Sequence, residues 1–508
     1  MSTLIRNATL LPMEGDTAHF VGDILIEGNS ISAIGPDLEV PKGAEIIDGT
    51  GKLVMPGLVN AHMHSGETFF KGRYQHMPLE IWMLYAYPIL MKEPIPKRLL
   101  YLRSLITAME SLKGGVTTMV DDFFDPPGYD LDRLRVVFDA YEDAGLRANV
   151  SHVVMDKHVF DTMPWLRDIV PADLQAEVAG PDMGVSGYMD YCKAVFDSQH
   201  GRADRLGFMV SASAPQRCSP EMMQACTALA VERGVPFHTH ILETKTQAVT
   251  GPEFYGTSLI RYMADLGILT PNTTIAHSVW VSDADIALMG DADVSIAHNV
   301  ISNLKLGSGV APLRRLLDAG VNVGLGTDGM CSNDTARIFD VMRVAGLIHA
   351  AAGPDLDRWV GAEEVLKAAT MGGARTALLQ DVTGSLTVGK RADLMMIRIA
   401  GYNYMPMNDL SHHLVYCEGG TNIERVMVNG TWVVENDRLL TVDESEVFAE
   451  LAELLPAWMA EHTELEKLNA RFEPYFRTMH QRATSMDIGL YRWQGDAPLW
   501  PGQNRGAG

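Results

Sequence analysis

The sequence is short of cysteine, of long apolar runs and of positive charge. Its five cysteines, Cys192, Cys218, Cys226, Cys331 and Cys417, are scattered through 508 residues with no CxxC pair. That excludes a disulfide framework or a thiolate zinc knuckle and predicts free thiols in a reducing compartment, the cytoplasm. The longest apolar run, residues 81–91, has eleven residues and contains Pro88. It is too short to span a bilayer. The first seven residues, Met1 to Asn7, have no basic segment followed by a long apolar run, so no secretory signal is expected. Lysine and arginine number 41 against 64 aspartates and glutamates, a net charge of −23. Such a surface repels phosphate backbones and excludes nucleic acid as an expected partner. Internal repeats and low-complexity linkers are also missing.

What is present is a 47% hydrophobic chain long enough for one large domain and a smaller one. Residues 1–56 read as short β units, with a hairpin turning at Gly28-Asn29. From 57 to 384 apolar strands alternate with helical stretches. The strands are expected at 54–64, 116–121, 148–154, 207–213, 236–240, 274–277, 294–298 and 321–326. Helices are expected at 98–113, 131–144, 220–233, 256–266 and 311–319. Eight such units predict an α/β fold, a (β/α)8 TIM barrel; an open doubly wound sheet is the alternative. Gly324-Leu325-Gly326-Thr327-Asp328-Gly329 formally matches a dinucleotide fingerprint. Residues 385–443 are again β, with a hairpin at Asn429-Gly430. They are expected to join the N-terminal strands in a small β-sandwich. Residues 444–508 form a C-terminal extension, helical to about Arg482 and carrying Trp493 and Trp500 further on.

Chemistry gathers at the strand ends. In a barrel of this kind catalytic groups stand at the C-terminal ends of the strands. The first strand ends in His62 and His64, the fifth runs through His238 and His240 to Glu243, the sixth ends at His277, the seventh at His298 and the eighth at Asp328. One HxH pair is a common accident of packing, but five strand ends carrying His or Asp point to a metal site. Imidazoles with one carboxylate suit zinc or iron(II). Strand alternation puts His238 and His240 on the same face and does not choose between them.

These residues carry a family resemblance. Pro56-Gly57-Leu58-Val59-Asn60-Ala61-His62-Met63-His64, His240-Ile241-Leu242-Glu243-Thr244, His277, His298-Asn299, Ser302 to Gly309 and Gly326-Thr327-Asp328 occur in order. The chain resembles the amidohydrolase superfamily, and within it the mononuclear branch of S-adenosylhomocysteine and methylthioadenosine deaminases, guanine and cytosine deaminases and chlorotriazine hydrolases. The resemblance runs from residue 1 to about 440. It implies metal ligands His62, His64, His240 and Asp328, choosing His240 because it stands three before Glu243. Binuclear relatives add a carboxylated lysine at the end of strand four. Here Ser211-Ala212-Ser213-Ala214-Pro215 has none, which implies one divalent ion, zinc first and iron second. It further implies catalytic roles for Asp328 as acceptor of a water proton, His277 as the group that orients it, and Glu243 as proton donor.

In such enzymes the loop after strand one closes over the substrate. Trp82 there is a stacking candidate, with Met155, His298, Asn303 and Cys331 as further substrate-binding candidates. The motif His298-Asn299-Val300 departs from the usual His-Asn-Pro. The expected reaction is hydrolytic deamination of an amino-substituted N-heterocycle, a purine, pyrimidine, pterin or triazine, because an amine leaves only when protonated and Glu243 supplies that proton. Hydrolysis of a urea or amide bond in a xenobiotic such as an arylurea comes second and dechlorination of a chlorotriazine third. A metal-binding ligand sensor is the non-enzymatic alternative. The expected partners are a small-molecule substrate and further copies of the chain, as homodimer or homotetramer, with no membrane.

Overall fold

The computed structural model describes residues 2–493 apart from 16, 17, 182 and 353. Trp500 lies outside the described residues. Eight parallel strands close into the barrel. They run Leu58–His64, Val116–Asp121, Arg147–Val150, Leu206–Phe208 continuing as Val210–Ser211, Phe237–Ile241, Thr273–His277, Ser295–His298, and Asn322–Leu325 continuing as Asp328–Gly329. Strands four and eight are each broken, so hydrogen bonding divides the barrel into two five-stranded sheets. Closure comes from the short second piece of strand eight, where Asp328 pairs with Met63 and Gly329 with His64. The break was not expected from the sequence. It turns the backbone at Asp328 to a φ of 61° and aims that side chain at the first strand.

The three glycines of the apparent dinucleotide fingerprint serve this closure. A Cβ on Gly324 would stand 2.7 Å from the Ala61 Cβ, one on Gly326 2.3 Å from Asn299 Oδ1, and one on Gly329 1.6 Å from Glu67 Oε2. They permit close approach of neighbouring strands and loops, and the parallel barrel excludes the open-sheet alternative.

Helices 131–144 and 220–233 fall where expected, as Leu131–Ala144 and Pro220–Arg233. Asp130 and Ser219 cap their N-termini, and Gly145 and Gly234 end them in the left-handed conformation. The stretches 256–266 and 311–319 shorten to Leu259–Asp265 and Leu313–Asp318. Helices also form where none was assigned, including Val185–Gln199, Lys245–Tyr255 and Leu79–Ala86.

The chain ends share one nine-stranded sheet. Lys52–Pro56 pairs antiparallel with Leu394–Arg398, and the sheet extends through Ser2–Leu10 on one side and Ile423–Val428 on the other. Its buried face packs Ile5, Leu10, Ile24, Val54, Leu394 and Met427. Two further helices, Glu444–Asn469 and Glu473–Ser485, cross over the loop that follows barrel strand one. Among the described residues no helix is long and apolar enough to cross a membrane.

Candidate active site

Three imidazoles and a carboxylate converge at the C-terminal rim of the barrel. His62 Nε2 stands 3.2 Å and His64 Nε2 3.4 Å from Asp328 Oδ1, and the Nε2 atoms of His64 and His240 are 3.2 Å apart. Four donors bound tetrahedrally to zinc at about 2.0–2.1 Å stand about 3.3 Å from one another. The measured spacings match that edge.

The hydrogen bonds behind the ring fix which nitrogen faces inward. His64 Nδ1 donates to the carbonyl of Asp122 at 2.6 Å, and His240 Nδ1 to the carbonyl of Ser213 at 3.0 Å. With both rings neutral, the two Nε2 atoms point lone pairs at each other, and a shared cation, a metal ion or in its absence a proton on His64, answers them. His62 Nδ1 is held by His238 Nε2 at 2.8 Å, while His62 Nε2 is buried without a hydrogen-bond partner. His238 thus stands behind His62, and His240 in the ring. Electrostatics agree. Burial presses the His62 imidazolium down to about 3. Burial would do the same to His64, yet Asp328, Glu67 and Asp122 outweigh it and raise that group to about 9. Burial alone would raise the Asp328 carboxyl, but His277, His62 and His64 hold it well below the usual carboxylate range. The ring is built to surround positive charge. Its residues group into two overlapping sets, His62, His240, His277 and Asp328, and His62, His64, Asp122 and His240.

Asp122 is a residue that strand-end reading missed. It follows the second strand directly, its Oδ1 accepts from Ser151 Oγ at 2.6 Å, and its Oδ2 is buried and unpartnered. The same rule that picked out five strand ends, applied to the end of Val116–Asp121, finds it.

Beyond the ring, His277 Nε2 lies 3.7 Å from Glu243 Oε2 and 4.0 Å from Asp328 Oδ2. Leu242 and His277 adopt left-handed φ values of 53° and 78°. Non-glycine residues hold such angles at a cost of about 1–3 kcal/mol each, and here they turn strand ends five and six toward the centre. Glu243 is buried. Desolvation, with the Asp328 charge nearby, pushes its carboxyl well above the ordinary range, which favours the protonated acid. Its Oε1 has no partner among the described residues.

The ring opens into a cavity of about 60 Å3. Trp82 and Met155 line it, and Trp82 Nε1 is buried without a partner among the described residues. Asn303 does not line it. It stands behind His277 and accepts from Nδ1 at 2.8 Å. His298 is turned away to His349, 3.1 Å between Nε2 atoms, and Cys331 lies behind Glu67, its Sγ 3.2 Å from Oε2. Two charged lining residues went unread in the sequence, Glu67 and Arg217. Burial raises the Glu67 carboxyl to about 7, although it accepts from Tyr87 Oη at 2.9 Å.

The amidohydrolase family model matches residues 53–433, three quarters of the chain. The chain belongs to the amidohydrolase family. It is a hydrolase of carbon–nitrogen bonds built around a divalent-metal site, acting on a small molecule. This amidohydrolase is 35% identical over 451 residues to a 5-methylthioadenosine/S-adenosylhomocysteine deaminase of Desulforudis audaxviator, covering 88% of this chain and 96% of that one. It is 32% identical over 450 residues to a 5'-deoxyadenosine deaminase of Methanosarcina acetivorans, with 88% and 96% covered. Among solved structures, an atrazine chlorohydrolase of Arthrobacter aurescens complexed with zinc superposes with a TM-score of 0.79 at 27% identity. That match covers 89% of this chain and 100% of the other.

Proposed function

We propose that this amidohydrolase is a mononuclear, zinc-dependent deaminase of amino-substituted N-heterocycles, with His62, His64, His240 and Asp328 as metal ligands and iron(II) as the alternative ion. The observation that carries the metal is the convergence of the Nε2 atoms of His62, His64 and His240 with Asp328 Oδ1, the measured pairs standing 3.2–3.4 Å apart. When bound, a divalent ion acidifies water toward neutrality and polarises the attacked carbon's surroundings. Asp328 accepts the proton of the attacking water. It can do so because Ser302 Oγ, 2.5 Å from Oδ2, holds its orientation. His277, fixed by Asn303, presents Nε2 to the same water and aligns it with the ring carbon. Glu243 acts as the acid. It delivers its proton to a ring nitrogen, which makes the adjacent carbon electrophilic; its carboxylate then takes the proton of the newly bound hydroxyl and relays it to the amine, which leaves as ammonia while the carbonyl forms, and the proton held by Asp328 restores the acid. Trp82 supplies a face for stacking and an unpaired N–H for an acceptor on the substrate. The deaminases among the relatives support this reaction.

A second reading rests on the wall of the cavity. Leu79, Trp82, Met83, Phe124, Val153 and Leu306 are apolar. Glu80, the one carboxylate on the helix above the site, turns away to Thr244 Oγ1 at 2.6 Å and His480 Nδ1 at 3.2 Å. This apolar stretch of the wall favours an aryl substituent, and hydrolysis of an arylurea uses the same acid and the same water. A panel of aminopurines, aminopyrimidines, pterins, aminotriazines, chlorotriazines and arylureas, assayed separately for ammonia, amine and chloride, decides. Ammonia from a heterocycle supports deamination; aniline from arylureas with no ammonia overturns it.

The domain division at about 56, 384 and 443 remains our proposal, supported by the strand pairings. So does assembly as a homodimer or tetramer in the cytoplasm, for which light scattering with the tail intact is the test.

A further inference from the structure

A second chamber, about 430 Å3, lies beside the catalytic cavity, between the loop after barrel strand one and helix Glu444–Asn469. Tyr87 and Phe124 line both spaces and form the partition between them. The chamber falls in the size range of small-molecule sites, about 300–1,000 Å3. Its walls are aromatic, with Phe70, Tyr87, Phe124 and Trp458. Its inner end carries Arg103, only 6% exposed, from helix Lys97–Lys113.

Arg103 is an anomaly. Buried guanidinium groups are almost always paired, because an unanswered buried charge is costly. Yet Nε and Nη2 of Arg103 are buried with no hydrogen-bond partner among the described residues. Asp125 answers the charge only as a loose ion pair and shares itself with a second arginine. Its Oδ2 takes Arg133 Nε at 2.6 Å, and its Oδ1 stands 3.7 Å from Arg103 Nη2, beyond hydrogen-bond reach. Asp121, close by, is occupied by Ser65 and Tyr141. Gly66 lines the same chamber, and a Cβ there would stand 3.9 Å from the guanidinium carbon and 3.1 Å from the Phe124 carbonyl. The glycine keeps the loop close over the arginine. The charged side chains at the mouth, Lys92, Glu93 and Glu461, are exposed and do not reach this depth.

We infer that this chamber is a binding site for an aromatic carboxylate, its acid group on Arg103 and its ring among Phe70, Tyr87, Phe124 and Trp458. A carboxylate offers the planar pair of acceptors that a guanidinium fork takes up, and burial strengthens that pair. The aromatic walls provide edge and face contacts for a ring of about the size of benzoate. The ligand is either a free acid or the acidic arm of an elongated substrate whose reacting end reaches past Tyr87 into the catalytic cavity. Neither source depends on the reaction being a deamination.

The test is titration calorimetry on the metal-loaded protein with benzoate, phenylacetate and the neutral benzamide. Benzoate or phenylacetate is expected to bind at least tenfold tighter than benzamide. Arg103→Met is expected to weaken the acid at least tenfold and benzamide hardly at all, with metal content unchanged. Should Arg103→Met fail to fold, Trp458→Ala takes its place and is expected to weaken acid and amide alike by about fivefold or more. Equal binding of acid and amide, no heat from either acid at 10 mM, or wild-type affinity in the folded variant overturns the inference. The substrate panel separates the sources. Competition between benzoate and a turned-over compound marks the acidic arm; inhibition without competition, or none, marks a free ligand.

Discussion

The inner ring of the site and its outer wall are built by opposite means. In the ring each side chain is fixed by its own strand end and by a neighbour's backbone carbonyl or a buried polar group. His64 leans on Asp122, His240 on Ser213, His62 on His238 and His277 on Asn303. The wall is one short helix, Leu79–Ala86, held from the far end of the chain. Leu79, Trp82 and Met83, at helical spacing, face the cavity. Ile81 and Leu84, on the other face, pack with Phe472, Phe476 and Met479 of the extension. Arg73 and Tyr74, just before this helix, bind Glu466 at 2.6–2.8 Å, and Glu80 binds His480. On the proposed reading the ring supplies the chemistry and the wall sets what enters. A rigid barrel rim with a substrate wall borrowed from another element lets selectivity change without disturbing the metal.

The comparison is sharpest where the two are broken separately. The largest effect is expected from the ring. Asp328→Ala or His240→Ala removes a ligand, and both bound metal and turnover fall by about 10^3-fold or more, read by elemental analysis and initial rates. Glu243→Gln comes next. It keeps the metal and the fold but loses about 10^2–10^4-fold in kcat, the range for a lost general acid. If metal disappears as well, Glu243 is a ligand and its role as acid is wrong. Asn303→Ala, which only frees His277, is expected to cost about tenfold to a hundredfold in kcat with metal retained. A loss confined to KM would return Asn303 to substrate binding.

The smallest effect is expected from the wall, and it depends on pH. Burial alone would raise the Glu80 carboxyl, but His480 and Thr244 hold it down at about 2. Its folded value lies below the ordinary one of 4.5, so its contribution is complete above about pH 4.5 and is lost as pH falls toward 2. Acid should therefore loosen the wall. In Glu80→Gln the melting temperature should fall less steeply between pH 5 and pH 3 than in the wild type, with metal content at neutral pH unchanged. Parallel slopes would show that Glu80 is not tied to the extension.

The same division explains what the sequence made legible. Barrel strands and ring histidines announce themselves through local apolar runs and strand-end chemistry, because each depends on residues within a few positions. Asp122 was equally local and was simply not counted. The turned-away His298 and the position of Asn303 behind His277 depend on loop paths that alternation does not encode. The wall depends on partners about 400 residues apart, Tyr74 with Glu466 and Glu80 with His480, and its helix, Leu79–Ala86, runs into an apolar stretch without helical periodicity. The break in strand eight that aims Asp328 is likewise a matter of closure, visible only when Asp328 meets Met63.

The account rests on one divalent ion held by the four-residue ring. The direct measurement is metal content and turnover of one preparation before chelation, after chelation and after stepwise return of zinc. The account predicts close to one ion per chain, loss of activity with the ion, and recovery that saturates at one equivalent. Full activity in a preparation stripped of metal, or recovery that requires two equivalents, would contradict it.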